Sequence, residues 1–253
     1  MTIKFVTVNI WHGGTLMDNL LAFLQKQKAD VLVLQEVYNG TDPSLPPQYR
    51  SMQVLKQKLQ YAHEYYQPFY RDFDRSHGKA QNGSAILSTY PILHTDTAFV
   101  TGEYSETYRD VPGNYQNCPS GLQHAVLDTP EGSMDVYNIH GVWDMDGDNF
   151  SPQRRKMTET ILAAITGKQR VLLAGDSNAK TTNKAIIMLE GPLHNVFGQS
   201  LPSTFNMRHK DNPGYATAAV DIMFVSSNIK VLAKDCPSVD VSDHLPLTAT
   251  LEI

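Results

Sequence analysis

The chain has 253 residues, of which 41% are hydrophobic and 19% are charged, a composition typical of a soluble globular protein. Its formal net charge of -5 excludes a global positive field that attracts nucleic acid, although a local basic patch could still bind a polyanion. The two cysteines, Cys118 and Cys236, form neither a disulfide framework nor a metal-ligand spacing. We expect both to be free thiols, with one long-range disulfide as the alternative.

The sequence predicts one domain without a transmembrane segment. The N-terminus reads directly as a strand and lacks the charged and apolar regions of a signal peptide, and no apolar run is long enough to cross a bilayer. We therefore expect a cytoplasmic protein, with secretion after removal of a signal as the alternative. Because matching strands lie on both sides of the irregular segments 41–50 and 102–121, we expect residues 1–253 to form a single domain. Segment 102–121 is a candidate substrate rim or an ordinary surface loop.

Apolar runs bounded by turn residues predict seven strands. In chain order they cover 3–10, 30–37, 84–90, 134–143, 170–176, 221–226 and a closing strand within 241–253. Helical segments separate some of the strands, but the two element types do not alternate strictly. The pattern therefore favours an α/β fold in which sheets pack against outer helices.

Three helices are predicted between the strands. Thr15 and Asp18 resemble a capping box at the start of the first helix, and a weaker candidate covers 49–60. Ser151 and Pro152 suit the N-cap and first turn of a third helix, which ends before Gly167. The basic residues 154–156 are expected to form a solvated start of that helix, with phosphate contact as the alternative.

Polar side chains capable of chemistry stand at the ends of the predicted strands. They are Asn9, Glu36, His140, Asp176, Asn178, Asp221, Asp243 and His244. In α/β sheets, ligands commonly bind beyond strand ends, where loops converge. Each residue alone has an ordinary structural explanation, such as a turn cap or a hydrogen-bonded core histidine. Glu36 is the hardest to explain in this way, because a buried carboxylate needs a partner or a metal.

These residues lie in short motifs that follow one another along the chain. The motifs are VNIW, LQE, GSAILSTYPI, NIH, GDSN, VDIMFVS and SDHLPL. Together, from residue 3 to the C-terminus, they resemble the endonuclease/exonuclease/phosphatase superfamily of deoxyribonuclease I-like metal-dependent phosphoesterases. The resemblance implies a four-layer α/β sandwich, with two packed mixed β-sheets flanked by helices. It also implies dependence on a divalent cation, usually Mg²⁺, with Mn²⁺ as an alternative.

Two positions depart from the pattern of that superfamily. Members commonly carry an aromatic residue between the Asp and Asn of GDSN, where this chain has Ser177. Abasic-site endonucleases place a further Asp two positions after the first-strand Asn, where this chain has Trp11. With His140 present, the site is more similar to the deoxyribonuclease I and sphingomyelinase branches, where two histidines face the phosphate.

Our hypothesis assigns different residues to the cation and to the attacking water. Glu36 is the principal metal ligand, and Asn9 and Asp243 complete or orient its shell, since Mg²⁺ prefers hard oxygen ligands. Asp176 orients and deprotonates the attacking water, and Asn178 holds the water or the phosphate by a hydrogen bond.

The two histidines would act on the phosphate. His244 donates to the phosphate or acts as acid or base, and Asp221 fixes its tautomer. His140 protonates the leaving group or binds the phosphate. Trp11 and Trp143 lie close to these residues in sequence and could stack on a base, with core packing as the simpler explanation.

Three functions remain open from the sequence. The leading prediction is a phosphodiesterase, with DNA or RNA as a candidate substrate and in-line attack by an activated water. The alternative is hydrolysis of a lipid-derived or small-molecule phosphoester, as in sphingomyelinases or inositol phosphatases, because no basic stripe is evident. A catalytically silent binding protein is disfavoured by the intact residue set.

The acidic stretch 144–148 superficially resembles an EF-hand calcium loop but fails the pattern. Asn149 and Arg155 stand at the two positions where an EF-hand requires glycine and glutamate. The stretch could still contact the substrate.

Overall fold

Twelve strands form two six-stranded sheets within residues 1–145 and 148–253, the part of the chain that this computed structural model describes. The strands are β1 (Thr2–Asn9), β2 (Val31–Tyr38), β3 (His63–Asp72), β4 (Ala80–Ser88), β5 (Ile92–Thr101), β6 (Ser120–Thr129), β7 (Gly132–His140), β8 (Val171–Asp176), β9 (His194–Asn195), β10 (Asp221–Val225), β11 (Lys230–Asp235) and β12 (Leu247–Glu252). The first sheet has the order β11-β12-β1-β2-β4-β3 and the second β5-β6-β7-β8-β10-β9. Both sheets are mixed, because the β1–β2 and β7–β8 pairs are parallel whereas the other pairs are antiparallel.

Helices cover the outer faces of the sheets. The α-helical segments are α1 (Trp11–Gly14), α2 (Met17–Gln27), α3 (Ser51–Leu59), α4 (Pro152–Ile165) and α5 (Lys184–Ile187). Short 3-10 turns occur at Pro47–Arg50, Tyr115–Asn117, Met188–Glu190, Met207–His209 and Pro213–Thr217. No described helix is long and apolar enough to cross a membrane.

Three apolar clusters show why the sheets and helices form four layers. The cluster between the sheets contains Phe5, Val33, Val136, Leu172 and Met223. On the other face of the first sheet, residues such as Val6 and Leu32 pack on α2 and α3, which contribute Leu24 and Leu55. The outer face of the second sheet packs on α4 through Ile139, Leu173, Met157 and Ile161. The central strands are thus apolar on both faces, which is why they read as continuous apolar runs, and the four-layer α/β sandwich is confirmed.

A buried polar cluster links the sheets beneath one edge. Gln35 of β2 donates from Nε2 to Oδ1 of Asn138 on β7, at 2.6 Å. Asn138 donates in turn to Oε1 of Gln123 and to the backbone carbonyls of Leu34 and Ala85, at 3.0–3.2 Å. Because buried polar groups must find partners, these bonds fix β2 against β7 in one relative position.

All seven predicted strands are present, but five further strands were not predicted. The missed strands are β3, β5, β6, β9 and β11. β3 and β5 lie at sheet edges and have mostly half-exposed positions, so their sequences lack a clear apolar alternation. Pro68 further obscures β3, whose pairing with β4 shifts register between Pro68 and Tyr70.

All three predicted helices are present as α2, α3 and α4, but the predicted cap of the first was wrong. Ser151 caps α4 by accepting from the backbone N–H of Arg154, and residues 51–59 form α3 as expected. The capping box at Thr15 was wrong: α2 begins at Met17, and the Thr15 hydroxyl donates to the carbonyl of Trp11 instead. The expected solvated helix start was also wrong at Arg154, which is fully buried.

The remaining predictions have simple outcomes. Cys118 and Cys236 are free thiols, as expected. Segment 102–121 is a loop up to the start of β6, with one 3-10 turn at Tyr115–Asn117. The acidic stretch 144–148 includes two positions outside the described residues, so its contact with a substrate stays a prediction.

Candidate active site

The strand registers bring the predicted residues together at one edge of both sheets. Asn9 of β1 is paired with Gln35, the residue before Glu36 on β2. His140 of β7 is paired with Asp176 of β8, and Asp176 is also paired with Asp221 of β10. Seven of the eight predicted residues line one cavity of about 270 Å³, and the eighth, Asp221, lies directly behind His244.

A bulge in β2 aims the side chain of Glu36 into this cavity. Pairing of β2 with β4 shifts register between Leu34 and Val37, and Glu36 adopts the left-handed conformation, with φ of 58°. A non-glycine residue in this conformation is uncommon and is retained where the surroundings enforce it. A β-bulge re-aims a side chain in this way, so the strand directs the carboxylate of Glu36 into the cavity at the sheet edge.

Asn9 connects the two carboxylates on the floor of the cavity. Its Nδ2 donates to Oε1 of Glu36 at 3.0 Å and to Oδ2 of Asp176 at 3.1 Å. Its Oδ1 accepts from the backbone N–H of Trp11 at 3.0 Å, and its own carbonyl accepts from the Ser242 hydroxyl. Asn9 therefore fixes the positions of the Glu36 and Asp176 carboxylates relative to each other.

The GDSN segment forms a tight turn after β8. Asp176 accepts at Oδ1 from the backbone N–H of Asn178 at 2.8 Å, and Asn178 has φ of 52°. The Ser177 hydroxyl lies within hydrogen-bonding distance of the Val220 carbonyl, at 2.7 Å. The carbonyl of Asn178 accepts from the guanidinium of Arg154 at 2.6 Å. Ser177 and Arg154 therefore stabilise the turn through buried hydrogen bonds.

His244 and Asp221 form a buried ion pair next to Asp176. Nδ1 of His244 lies 2.9 Å from Oδ2 of Asp221, and its Nε2 lies 3.9 Å from Oδ2 of Asp176. Burial opposes a charge on the imidazole, but the two carboxylates outweigh it and raise the pKa of His244 to about 10. His244 is thus a cation at neutral pH whose Nε2–H is directed away from Asp221.

Asp243 is held differently from its neighbour. Its Oδ2 accepts from Nζ of Lys210 at 2.5 Å, and the Ser242 hydroxyl lies 3.3 Å from its Oδ1. Lys210 also lies over the rings of Phe205 and Tyr215, at 4.8 and 5.1 Å from their centroids. The role of Asp243 as a metal ligand stays a prediction, and it would require a carboxylate that Lys210 currently neutralises.

His12 belongs to the cavity but was not among the predicted residues. Its backbone N–H and its ring both contact Oε2 of Glu36. It occupies a tight turn with φ of 48°, followed by Gly13 with φ of 81°, where a Cβ would come within 2.1 Å of the Gln48 carbonyl oxygen. The signal that could have found it is an imidazole directly before a double glycine, next to the first-strand Asn.

Two other cavity residues, Arg75 and Asp110, come from loops that carry no motif. Arg75 and Asp110 form an ion pair at the cavity, and Trp11 and Trp143 line it half-exposed instead of packing in the core. Arg75 follows β3, and Asp110 lies in the loop between β5 and β6. Because their contacts link distant segments, no local sequence pattern marks them.

Two sets of residues could hold a divalent cation. The first is Glu36 with Asp243. Burial disfavours ionisation of Glu36, but the charge and hydrogen bonds of His12, with a contribution from His140, keep its pKa well below the usual value. The second is Asp176, Asp221 and His244, whose potential ligand atoms all lie within 4.8 Å of one another. A metal at the second set would have to replace the hydrogen bond between Asp221 and His244, and one at the first set would have to replace the contact between Asp243 and Lys210. The first set offers only carboxylate oxygens, the ligands that Mg²⁺ prefers.

Comparison with known proteins agrees with this geometry. Residues 6–244 match the model of the Endonuclease/Exonuclease/phosphatase family, whereas no curated protein matches the sequence. The structure resembles an endonuclease/exonuclease/phosphatase from Beutenbergia cavernae DSM 12333, with 17% identity and a TM-score of 0.79 over 100% of this chain and 72% of that one.

Two further solved structures share the fold over nearly the full length of both chains. One is a mannosyl-6-phosphatase from Bacteroides thetaiotaomicron VPI-5482, with 16% identity, a TM-score of 0.68 and coverage of 99% of this chain and 100% of that one. The other is TDP2 from D. rerio complexed with a single-strand DNA product, with 15% identity, a TM-score of 0.70 and coverage of 100% and 99%. At this identity the structures establish the deoxyribonuclease I-like fold, and the family model, which spans nearly the whole sequence, shows that the chain belongs to the endonuclease/exonuclease/phosphatase family.

Proposed function

We propose that the protein is a phosphoester hydrolase that depends on a divalent cation, Mg²⁺ or Mn²⁺. The observation that carries the proposal is the convergence of Glu36, Asp176, His140 and His244 on one cavity, with Asp221 bonded behind His244. This set supplies anionic ligands for a cation, a base for water and, in His244, a cationic donor for a phosphate. The family to which the chain belongs contains both nucleases and phosphatases by name, which supports the reaction class.

Glu36 and Asp243 would hold the cation, and Asn9 would orient Glu36. Both carboxylates offer the hard oxygen ligands that Mg²⁺ prefers, and one or two of them suffice. When bound, the cation would supply charge stabilisation of the phosphoryl oxygens and of the leaving oxygen. The chain's own part is to fix Glu36 by the bulge in β2 and by hydrogen bonds from Asn9 and His12.

Asp176 and Asn178 would position the attacking water. Oδ2 of Asp176 is bonded to Asn9, and Oδ1 accepts from the backbone of Asn178, so the carboxylate has a fixed orientation. Within hydrogen-bonding reach, such a carboxylate can accept a proton from water as it attacks phosphorus in line. The side-chain amide of Asn178, which lies 3.3 Å from the Gly141 carbonyl, remains at the cavity surface to bind the water or the phosphate.

His244 would bind the phosphate as an imidazolium. Asp221 holds Nδ1, so Nε2–H is the donor available to a phosphoryl oxygen. A preorganised cationic donor of this kind stabilises charge that develops in the transition state. His140, at the end of β7 and on the cavity surface, is the candidate to bind a second oxygen or to protonate the leaving group.

The substrate has two candidate classes. A nucleic-acid phosphodiester is the class to which the DNA-bound neighbour points, and a small or lipid-derived phosphoester is the other. The residues that line the cavity favour the small or lipid-derived phosphoester, because Lys210 and Arg75 are each paired with a carboxylate. The chemistry assigned to the residues is the same in both cases.

The test is hydrolysis of p-nitrophenyl phosphate and bis-p-nitrophenyl phosphate with Mg²⁺, with Mn²⁺ and with EDTA. We expect cation-dependent release of nitrophenolate, and a loss of at least ~10²-fold in His244→Ala, the lower end for a general acid–base group. His194→Ala is the matched control, because His194 is an exposed histidine on β9 outside the cavity. Equal turnover in EDTA, or normal turnover in a folded His244→Ala variant, would contradict the proposal.

The position of the cation can be tested separately from turnover. Calorimetric titration with Mn²⁺ should show that Glu36→Gln loses the site whereas Asp221→Asn retains it. The reverse result would place the cation between Asp176, Asp221 and His244.

A further inference from the structure

Seven tryptophan, tyrosine and phenylalanine residues line the cavity, and we propose that four of them form a subsite for the organic group of the substrate. These four residues, the aromatic wall, are Tyr70, Tyr108, Tyr115 and Trp143. The inference rests on the proposed function and narrows it to compact phosphoesters that carry one phosphate and one ring system, such as a sugar phosphate or a mononucleotide.

The aromatic wall consists of two edge-to-face pairs. The ring centroids of Tyr70 and Tyr108 are 4.8 Å apart with an interplanar angle of 67°, and those of Tyr115 and Trp143 are 5.5 Å apart at 80°. Tyr70 and Tyr108 are buried, whereas Tyr115 and Trp143 are half-exposed. In an edge-to-face pair, one ring keeps a face available for a further ring. The half-exposed rings of Tyr115 and Trp143 thus offer aromatic faces in the same cavity as the catalytic groups, and the buried pair Tyr70–Tyr108 completes the wall.

The loop that carries Tyr108 and Tyr115 is held in place before any substrate binds. Three ion pairs connect it to β3 and the turn that follows: Arg71–Glu106, Arg75–Asp110 and Arg109–Asp74. Ser105 also exchanges two backbone hydrogen bonds with β3, with Phe69 and with Arg71. Because these contacts fix the loop, Tyr108 and Tyr115 need no ordering when a ring binds, which lowers the cost of binding.

The charges in the cavity match a single phosphate. Among the described residues that line it, the arginine and lysine are Arg75, paired with Asp110, and Lys210, paired with Asp243. A nucleic-acid strand needs a cationic groove that follows several phosphates. Here the histidines and a bound cation would serve one phosphate, whereas Arg75 is already paired with Asp110 beside the wall. A second phosphate at the wall would have to compete with Asp110 for Arg75.

The aromatic residues from the segment before β10 do not offer the same subsite. Phe205 contacts both Tyr215 and His244, with ring centroids 4.5 Å apart in each pair, and Lys210 covers Phe205 and Tyr215. The rings of Phe205 and Tyr215 are thus already packed against other side chains of the protein. The cavity volume of about 270 Å³ is near the lower end for small-molecule sites, which also favours one ring system over a chain.

The experiment compares substrate selectivity between the wild type and a wall variant. The substrates are glucose 6-phosphate, adenosine 5′-monophosphate, glycerol 3-phosphate and a ten-nucleotide oligothymidylate, each with Mg²⁺. We expect kcat/KM in the wild type to be highest for a ring-bearing monophosphate. In Trp143→Ala, the ratio of kcat/KM for that substrate to kcat/KM for glycerol 3-phosphate should fall about tenfold, the effect of losing one stacked ring.

Tyr104→Ala is the matched control, because Tyr104 lies in the same loop but outside the cavity. It should leave the ratio unchanged. A preference for the oligonucleotide, or an unchanged ratio in Trp143→Ala, would overturn the inference while the proposed function stood. If the proposed function fails, none of the esters will be turned over. In that case, calorimetric binding of the two ring-bearing monophosphates to the metal-free protein tests the subsite. Tighter binding of these compounds than of glycerol 3-phosphate supports the subsite, and equal binding contradicts it.

Discussion

His12 contacts a single oxygen of Glu36 through two of its nitrogens. The backbone N–H lies 2.7 Å from Oε2, and ring Nδ1 lies 3.1 Å from the same atom. Oε1 is held by Asn9, so hydrogen bonds fix both oxygens of the carboxylate. The turn that makes this possible depends on left-handed backbone at His12 and Gly13. His12 is therefore a positioning residue for the proposed metal ligand.

The first prediction concerns His12→Ala, which removes the ring contact but leaves the backbone hydrogen bond. Partners that orient a metal ligand typically contribute 10–100-fold to metal affinity or activity. We expect the Mg²⁺ concentration for half-maximal activity to rise about tenfold, with a smaller change at saturating Mg²⁺. Titration of activity with Mg²⁺ measures this shift. His12→Gln, which restores a donor, should recover part of it; an unchanged Mg²⁺ dependence in both variants would show that the ring does not position Glu36.

The second prediction concerns the charge on His244. In the metal-free wild type, His244 stays protonated as pH rises through neutrality and loses its proton only near pH 10, because Asp221 and Asp176 raise its pKa to about 10. Asp221→Asn removes the carboxylate bonded to Nδ1, so the pKa should fall towards the ordinary value near 6.5. Deprotonation then moves to a lower pH.

Nuclear magnetic resonance of the His244 ring in the metal-free protein measures that change directly. The wild-type resonance should not titrate between pH 5 and about 8, whereas the Asp221→Asn resonance should titrate within or below this range. Turnover at pH 8 should also fall by at least ~10²-fold in the variant. Identical titration curves for the two proteins would show that Asp221 does not govern the charge of His244.

Much of the candidate site could be predicted because its core residues stand at or close to the ends of buried strands. Glu36, His140 and Asp176 follow apolar runs that are buried on both faces, and such runs are visible in a single sequence. The order of their motifs then led to the family, which the match over residues 6–244 establishes. The roles assigned to the individual residues remain predictions.

The parts that could not be predicted depend on contacts between distant segments. Edge strands such as β3 and β5 are half-exposed, so they lack the apolar periodicity that identifies a strand. Arg75 and Asp110 meet across 35 positions in sequence through an ion pair that neither local segment indicates. The bulge that aims Glu36 also depends on its pairing with β4. Tertiary packing decides these features.

The third prediction concerns Asn138, the centre of the polar cluster between the sheets. Asn138→Ala would leave Gln35, Gln123 and two backbone carbonyls without their buried partner. A buried polar group left unpaired costs about 1–3 kcal/mol, so we expect the free energy of unfolding to fall by about 3 kcal/mol in total. Urea denaturation measures the change.

Asn117→Ala is the control for this substitution, because Asn117 is exposed and bonds only to the nearby Asn114 side chain through its amide nitrogen. Its effect should stay within about 0.5 kcal/mol. A loss below about 1 kcal/mol in Asn138→Ala would mean that water or repacking replaces the cluster, and that the cluster does not set the position of β2 against β7.

The fourth prediction concerns Gly175, the residue before Asp176. Its φ is 135°, and a Cβ there would lie 2.1 Å from the carbonyl oxygen of Ile139 on the neighbouring strand. Gly175→Ala must therefore push β8 away from β7 and displace Asp176 from the cavity. We expect the free energy of unfolding to fall by several kcal/mol, or by about 3 kcal/mol if the strands relax around the added methyl group. The fraction that still folds should have lost its activity.

Gly102→Ala separates the steric clash from backbone strain. Gly102 also has a positive φ, of 60°, but a Cβ there would meet nothing within 4 Å. This control should cost only about 1 kcal/mol, the penalty for a side chain in the left-handed conformation. Thermal and urea unfolding of both variants measure the difference. Equal stability losses would mean that the close approach of β7 and β8 does not require glycine, and that Asp176 reaches the cavity without it.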